Sequence, residues 1–351
     1  MRLGYLAPLI VLAPAAAQPA FWDGQVSDPA RSRPIPYRVY YDQSASGAQP
    51  LILVSHGGTG SFSGYTRASH LGRAFAEGGY VAIYVGHTPS DPGADHRADR
   101  PRDVSHLLDR IELGLLPLPP DFNAAIDIDR VGHVGHSYGA YTAHALAGAR
   151  LRLFPPAEAN FRDDRIDAIV PLSPQGADQF GFFDVSAAEN SWSAIDVPVC
   201  AFIGAVELNG NVTGSLVREG WRTEPFERYT WAGDKYQFVL PGQDHSDLWR
   251  TGSPEVEAFV AENARLFFDL YVKGTPVRPA DIGFSPMLAG VERRQRSADV
   301  DGDGDRDAFD LVEYLRLFDA GSPDAETGGQ TPARLDSADI EAVLGLLASG
   351  D

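Results

Sequence analysis

Gly135-His136-Ser137-Tyr138-Gly139 follows the strand-like run Val131-Gly132-His133-Val134 without a break and leads into Ala140-Tyr141-Thr142-Ala143-His144-Ala145-Leu146-Ala147. No other feature constrains the chain as strongly. A serine set between a strand and a helix needs strained backbone dihedrals, and a glycine two residues to either side lets the two elements pass at close range. The helix that follows turns its free N–H groups and positive dipole end toward the serine oxygen.

The surrounding sequence predicts a sheet for this elbow to sit on. Pro50 to Ser55 and Gly79 to Val85 are apolar throughout, as strands buried on both faces of a parallel sheet are. Between them Tyr65 to Glu77 reads as a helix with Leu71, Ala74 and Phe75 on one face, stopped by Gly78-Gly79. Arg102 to Ile111 carries Val104, Leu107, Leu108 and Ile111 at helical spacing. Ile166 to Leu172, Val197 to Ile203 and Tyr236 to Leu240 are further buried-strand candidates, and Pro254 to Tyr271 is an amphipathic helix. Strands alternating with helices predict an α/β chain with a doubly wound, mostly parallel sheet.

Composition and charge narrow the function classes. Met1-Arg2, an apolar run to Pro14 and Ala15-Ala16-Ala17 fit a signal peptide over residues 1–17, so a secreted or periplasmic location is expected. The run is too short to span a bilayer and no other uninterrupted one reaches the roughly 20 residues required, so no membrane span is expected. Cys200 is the only cysteine, which rules out an intrachain disulfide, and its apolar surroundings suit a small core residue. A net charge of −19 argues against nucleic acid and anionic surfaces as partners. From Asp299 to Asp351 there are fourteen Asp and Glu against three Arg, a balance of −11, and this step marks a boundary between a catalytic domain at 18–290 and a small module at 291–351.

A serine hydroxyl is a poor nucleophile at neutral pH and needs an imidazole to take its proton and an acid to hold that imidazole. On an elbow of this kind the chain order is serine, acid, histidine. Only His144 and His245 follow Ser137; His144 lies on the elbow helix, whereas His245 sits in the turn after the strand ending at Leu240, where the base belongs. Glu207 lies just past the preceding strand and is the favoured acid, with Asp244, Asp178 and Asp184 as competitors. Negative charge on the tetrahedral intermediate calls for preorganised N–H donors, which we assign to Tyr138 and to Gly58 in the His56-Gly57-Gly58 turn. His56 reads as a structural hydrogen-bonder.

Leu53 to Gly58, Arg100 to Asp109, Gly135 to Tyr141, Leu172 to Gly176, Trp221 to Phe226 and Gly233 to Tyr236 together resemble the α/β-hydrolases grouped as predicted dienelactone hydrolases, which are related to platelet-activating-factor acetylhydrolases and cutinase-like polyester hydrolases. The likeness covers about residues 30 to 275. It implies an esterase acting on a small or polymeric ester, with Ser137 as nucleophile, His245 as base and Gly58 and Tyr138 as oxyanion donors. Glu207 departs from it, since such relatives usually carry Asp there. The same residues would serve a lactone or amide hydrolase, and a non-catalytic docking protein on this fold is the other class. No cofactor is needed for the chemistry. Aromatics of the loops, Phe180, Phe182, Phe183 and Trp192, are candidates for covering an acyl group or for plain packing.

In the tail, Asp299, Asp301, Asp303, Asp305, Asp307 and Asp310 stand at positions 1, 3, 5, 7, 9 and 12 of a calcium loop, with Gly304 at position 6 for its sharp turn. Asp305 would offer its carbonyl and Asp307 a water-mediated contact. The closing Asp310 resembles a dockerin loop, which implies a structural Ca²⁺ and a protein or cell-surface partner. A second unit ending at Asp339 has Gly328 and Gln330 where ligands should be, so one Ca²⁺ is expected.

Overall fold

The computed structural model describes residues 19–58, 64–87, 96–153, 157–177, 183, 190–209, 211–212, 215–216, 219–230, 232–278, 281–283 and 288–296. Among these, nine strands form one sheet: β1 (Pro19–Asp28), β2 (Arg33–Asp42), β3 (Ala48–Ser55), β4 (Val81–Val85), β5 (Ala125–His136), β6 (Ala168–Leu172), β7 (Val199–Gly204), β8 (Lys235–Leu240) and β9 (Glu292–Arg296). Their order is β1-β2-β4-β3-β5-β6-β7-β8-β9. The pairings from β4 through β8 are parallel, and β1, β2 and β9 add antiparallel edges. The sheet's last strand therefore lies beyond residue 290.

Side chains alternate across a strand, so each fully apolar strand feeds two cores at once. Leu51 and Leu53 of β3 join Val104, Leu107 and Leu108 of α2 (His96–Glu112) and Tyr141 and Leu146 of α3 (Tyr138–Leu146) on one face. Ile52 and Val54 join Leu71 and Phe75 of α1 (Ser69–Glu77) and Phe259, Val260 and Phe268 of α5 (Pro254–Tyr271) on the other; the short α4 (Glu224–Arg228) lies between β7 and β8 in the chain. The architecture is a mixed α/β sandwich with helices on both faces of a mostly parallel sheet. Cys200 in β7 is buried, and its thiol is pushed well up by that burial.

Two elements differ from their sequence expectation for identifiable reasons. α2 begins at His96, six residues earlier than its apolar spacing indicates, with Pro101 inside it. Proline has no N–H for the carbonyl four residues back, which is normally costly. Here that carbonyl, of Arg97, accepts from the Tyr141 hydroxyl at 3.2 Å. The hairpin of β1 and β2 carries no continuous apolar run because β1 lies at the sheet edge with alternating exposure. Pro34 and Pro36 of β2 precede the stretch paired to β4, Tyr37 to Tyr40, so their missing donors break no ladder there.

Candidate active site

β5 ends at His136 and α3 starts at Tyr138, leaving Ser137 alone on the elbow with φ 55° and ψ −116°. The two glycines are a matter of space. A Cβ on Gly135 would overlap the carbonyl of Gly139, and one on Gly139 would overlap that of Ser55 at the end of β3. The Ser137 N–H donates to the Leu172 carbonyl at 2.9 Å, which ties the elbow to the end of β6. Ser137 is half-buried, and its Oγ makes no hydrogen bond among the described residues.

His245 stands in the turn after β8 and Glu207 on the 3₁₀ turn Ala205–Asn209 that follows β7. Parallel strands deliver both to the same edge of the sheet as Ser137. His245 Nδ1 and Glu207 Oε2 are 2.8 Å apart. Glu207 is 4% exposed, and its other oxygen accepts from Ser173 Oγ at 2.6 Å and from the Gly204 N–H at 3.2 Å. Arg222 Nε also packs on Oε2. Burial pushes the carboxyl up, but the His245 bond, the Arg222 charge and the Ser173 hydroxyl outweigh it and hold Glu207 below its usual range. The competing carboxylate Asp244 accepts from the Ser246 and Asp247 N–H groups at 2.7 and 3.3 Å, within its own turn. Asp178 and Asp184 lie outside the described residues.

The residue before Ser137 reaches His245. His136 Nε2 and the His245 carbonyl are 2.8 Å apart, so that ring nitrogen carries the proton. Burial and then the neighbouring His245 push His136 down to about 3, so it is neutral at ordinary pH. Its ring stacks on Trp249 at 5.3 Å and lies 4.7 Å from the His245 ring. His136 thus ties the residue next to Ser137 to His245, and among the described residues Ser137 and His245 share no direct hydrogen bond. Such bonds are often long without substrate and tighten when it binds.

The turn after β3 approaches Ser137 from the other side; a Cβ on Gly57 would stand 2.9 Å from that of Ser137. Gly58 is exposed and takes φ +76°, a conformation that favours glycine. His56 Nδ1 donates to the Gly57 carbonyl at 2.8 Å. That carbonyl shares a planar trans peptide with the Gly58 N–H, so fixing one aims the other in the opposite direction. Arg100 of α2 donates from Nη1 to the Gly58 carbonyl at 3.1 Å and from Nη2 to the His56 carbonyl, with its guanidinium 4.6 Å from the Tyr138 ring. Both residues expected to supply oxyanion donors therefore touch Arg100. Burial lowers Arg100 to about 10, leaving it charged at neutral pH, and burial with the Arg100 charge lowers His56 to about 3.

Behind the turn runs a buried polar chain. Asp103 meets Arg33 Nε and Nη2 at 2.7 and 2.9 Å and His87 Nδ1 at 3.0 Å. His87 Nε2 meets Ser55 Oγ at 2.9 Å, which meets His133 Nε2 at 3.0 Å. An ion-paired carboxylate only accepts, so His87 carries its proton on Nδ1, accepts a hydrogen bond from the Ser55 hydroxyl on Nε2, and leaves Ser55 to accept from His133.

Arg100, His136, Ser173 and Arg222 are site residues to which sequence reading assigned no role. Their sequence signal is confined to the motif segments they occupy, which say nothing of what the side chains touch. His144 is a core residue, with Nε2 2.6 Å from the Tyr229 hydroxyl. Phe183 and Trp192 are buried against each other and against α3. Phe180, Phe182, the leader at 1–17 and the ladder Asp299, Asp301, Asp303, Asp305, Asp307 and Asp310 lie outside the described residues. Among the described residues no cluster of three or more His, Cys, Asp or Glu could hold a metal, and no helix is long and apolar enough to cross a membrane. In comparison with known proteins, the chain matches no family model and no curated protein.

Proposed function

We propose that the protein is a serine hydrolase of carboxylic esters built on the α/β-hydrolase fold. The observation that carries this reading is the 2.8 Å pair of His245 Nδ1 and buried Glu207 on the sheet edge where Ser137 sits at φ 55°. Ser137 Oγ attacks the ester carbonyl carbon while His245 Nε2 takes its proton. The oxyanion is met by the N–H groups of Gly58 and Tyr138. Collapse breaks the carbon–oxygen bond, and His245 returns the proton to the departing alcohol. Water, deprotonated by the same nitrogen, then attacks the acyl-enzyme and releases the acid.

The test is hydrolysis of p-nitrophenyl esters of increasing acyl length by wild type, Ser137→Ala and Glu207→Ala. Ser137→Ala is expected to lose about 10⁴-fold or more in kcat, and Glu207→Ala about 10⁴-fold. Absence of Ser137-dependent turnover across the series would sink the reading. The acidic ladder from Asp299 to Asp310 is read as one structural Ca²⁺ site outside this chemistry. Calorimetric titration of Ca²⁺ into chelator-stripped full-length protein should give one site, lost in Asp301→Ala/Asp303→Ala.

A further inference from the structure

Arg222 stands beside both the acid and the histidine of the site. It lies on the 3₁₀ turn Trp221–Thr223 and is 2% exposed. Nη1 donates to the carbonyls of Ser173 and Pro174 at 2.5 and 2.9 Å, which locks the plane of the guanidinium. Its remaining edge faces the acid and the base together: Nε packs on Glu207 Oε2, and Nη2 is 3.0 Å from His245 Nδ1. The underside rests on the Trp221 ring at 4.1 Å. His245 Nδ1 thus faces a carboxylate that would accept its proton and a guanidinium that would donate to it. If Nδ1 accepted from Arg222, the proton would sit on Nε2 and His245 could not act as a base.

A buried glutamate far from any cation would take up a proton and cease to orient the ring. We propose that Arg222 is a positioning residue whose fixed charge keeps Glu207 ionised, so that Glu207 holds the Nδ1–H tautomer and leaves Nε2 of His245 facing the nucleophile. This role rests on the esterase reading of the site. Among the described residues, the other groups around the pair leave Arg222 as its cation. His136 is buried and neutral, Ser173 contributes a hydroxyl, and Asp244 is turned to its own main chain. Burial lowers Arg222 to about 10, so it stays charged across the working range.

The experiment is nitrogen-detected NMR of the histidine rings of the full chain during a pH titration, with kcat/KM for a p-nitrophenyl ester measured alongside. Wild type, Arg222→Gln and Arg222→Lys are compared, with folding checked by circular dichroism. Neutral His245 is expected to carry its proton on Nδ1. Arg222→Gln should raise the titration midpoint of the Glu207–His245 pair, and the acid limb of kcat/KM with it, by about one pH unit or more. Arg222→Lys keeps the charge and should leave the midpoint within a few tenths of wild type.

A variant that folds and loses turnover with its midpoint unmoved would show that Arg222 is only structural. Equal shifts in both variants would likewise overturn the role assigned to its charge. Should Arg222→Gln fail to fold, wild type still decides, because a neutral His245 protonated on Nε2 contradicts the proposal outright. A midpoint that moves as expected in a protein without Ser137-dependent turnover would leave the charge relation standing and remove the esterase reading alone.

Discussion

The hydrogen bonds of Arg100 among the described residues go to main-chain carbonyls, those of His56 and Gly58. Held on either side of the Gly57–Gly58 peptide, these carbonyls fix the turn that carries the Gly58 N–H, so it is set before substrate arrives. On the proposed esterase reading, donors fixed in this way act on the oxyanion of the transition state and little on the ground-state ester. Arg100→Met should therefore lower kcat by about ten- to a hundred-fold with KM changed by less than about three-fold. His56→Ala, which frees the Gly57–Gly58 peptide, should move in the same direction. Steady-state kinetics decides the matter, and a rise in KM at constant kcat would assign both residues to substrate binding instead. Ser137, Glu207 and His245 were legible in the sequence because each follows a strand end, and strand ends can be read from apolar runs. Arg100 and Arg222 were not, because a buried arginine has no periodic signature and its partners are carbonyls that only the finished fold assembles.

Among the elements, α5 shows how the sheet face and the helix were matched. Pro254 opens the helix, and Ser253 caps it by accepting from the Val256 N–H at 3.5 Å. Phe268 near its other end is fully buried and lies over Gly132 of β5, where a Cβ would collide with its ring. Phe268→Ala leaves a void that a rigid sheet cannot close, so a loss of about 3–5 kcal/mol is expected. Chemical denaturation measures it, and a cost under about 1.5 kcal/mol would mean that the face can collapse. The bounds of α5, Pro254 to Tyr271, agree with the sequence reading because the cap, the proline and the apolar spacing all act locally. α2 and the β1–β2 hairpin were less legible for the opposite reason. The start of α2 is permitted by Tyr141, 44 residues beyond Arg97, and the hairpin's edge position shows only once β4 pairs with part of β2.

At the scale of the whole molecule, five histidines among the described residues are buried and kept neutral. His56, His133, His136 and His144 are all lowered to about 3, chiefly by burial, and burial also holds His87 well below the usual range. In the unfolded chain the same rings titrate near 6.5, so between about pH 3 and 6.5 the unfolded state binds more protons than the folded one. Stability must then fall as pH drops through that window, by roughly 1.4 kcal/mol per pH unit for each ring. Thermal melting should show a steep decline beginning near pH 6.5. A melting temperature that stayed level down to about pH 4.5 would mean that these rings accept protons without unfolding.

The single thiol offers a way to time that opening. Cys200 sits in β7 between two parallel neighbours, with no exposed surface and no second sulfur to exchange with. An aromatic disulfide reagent can reach it only in molecules whose central sheet has parted. The colour released is then a stopwatch started by the protein itself, at a rate set by unfolding when reagent is in excess and by the open population when it is scarce. No label has to be engineered in, and no oxidant is needed for refolding.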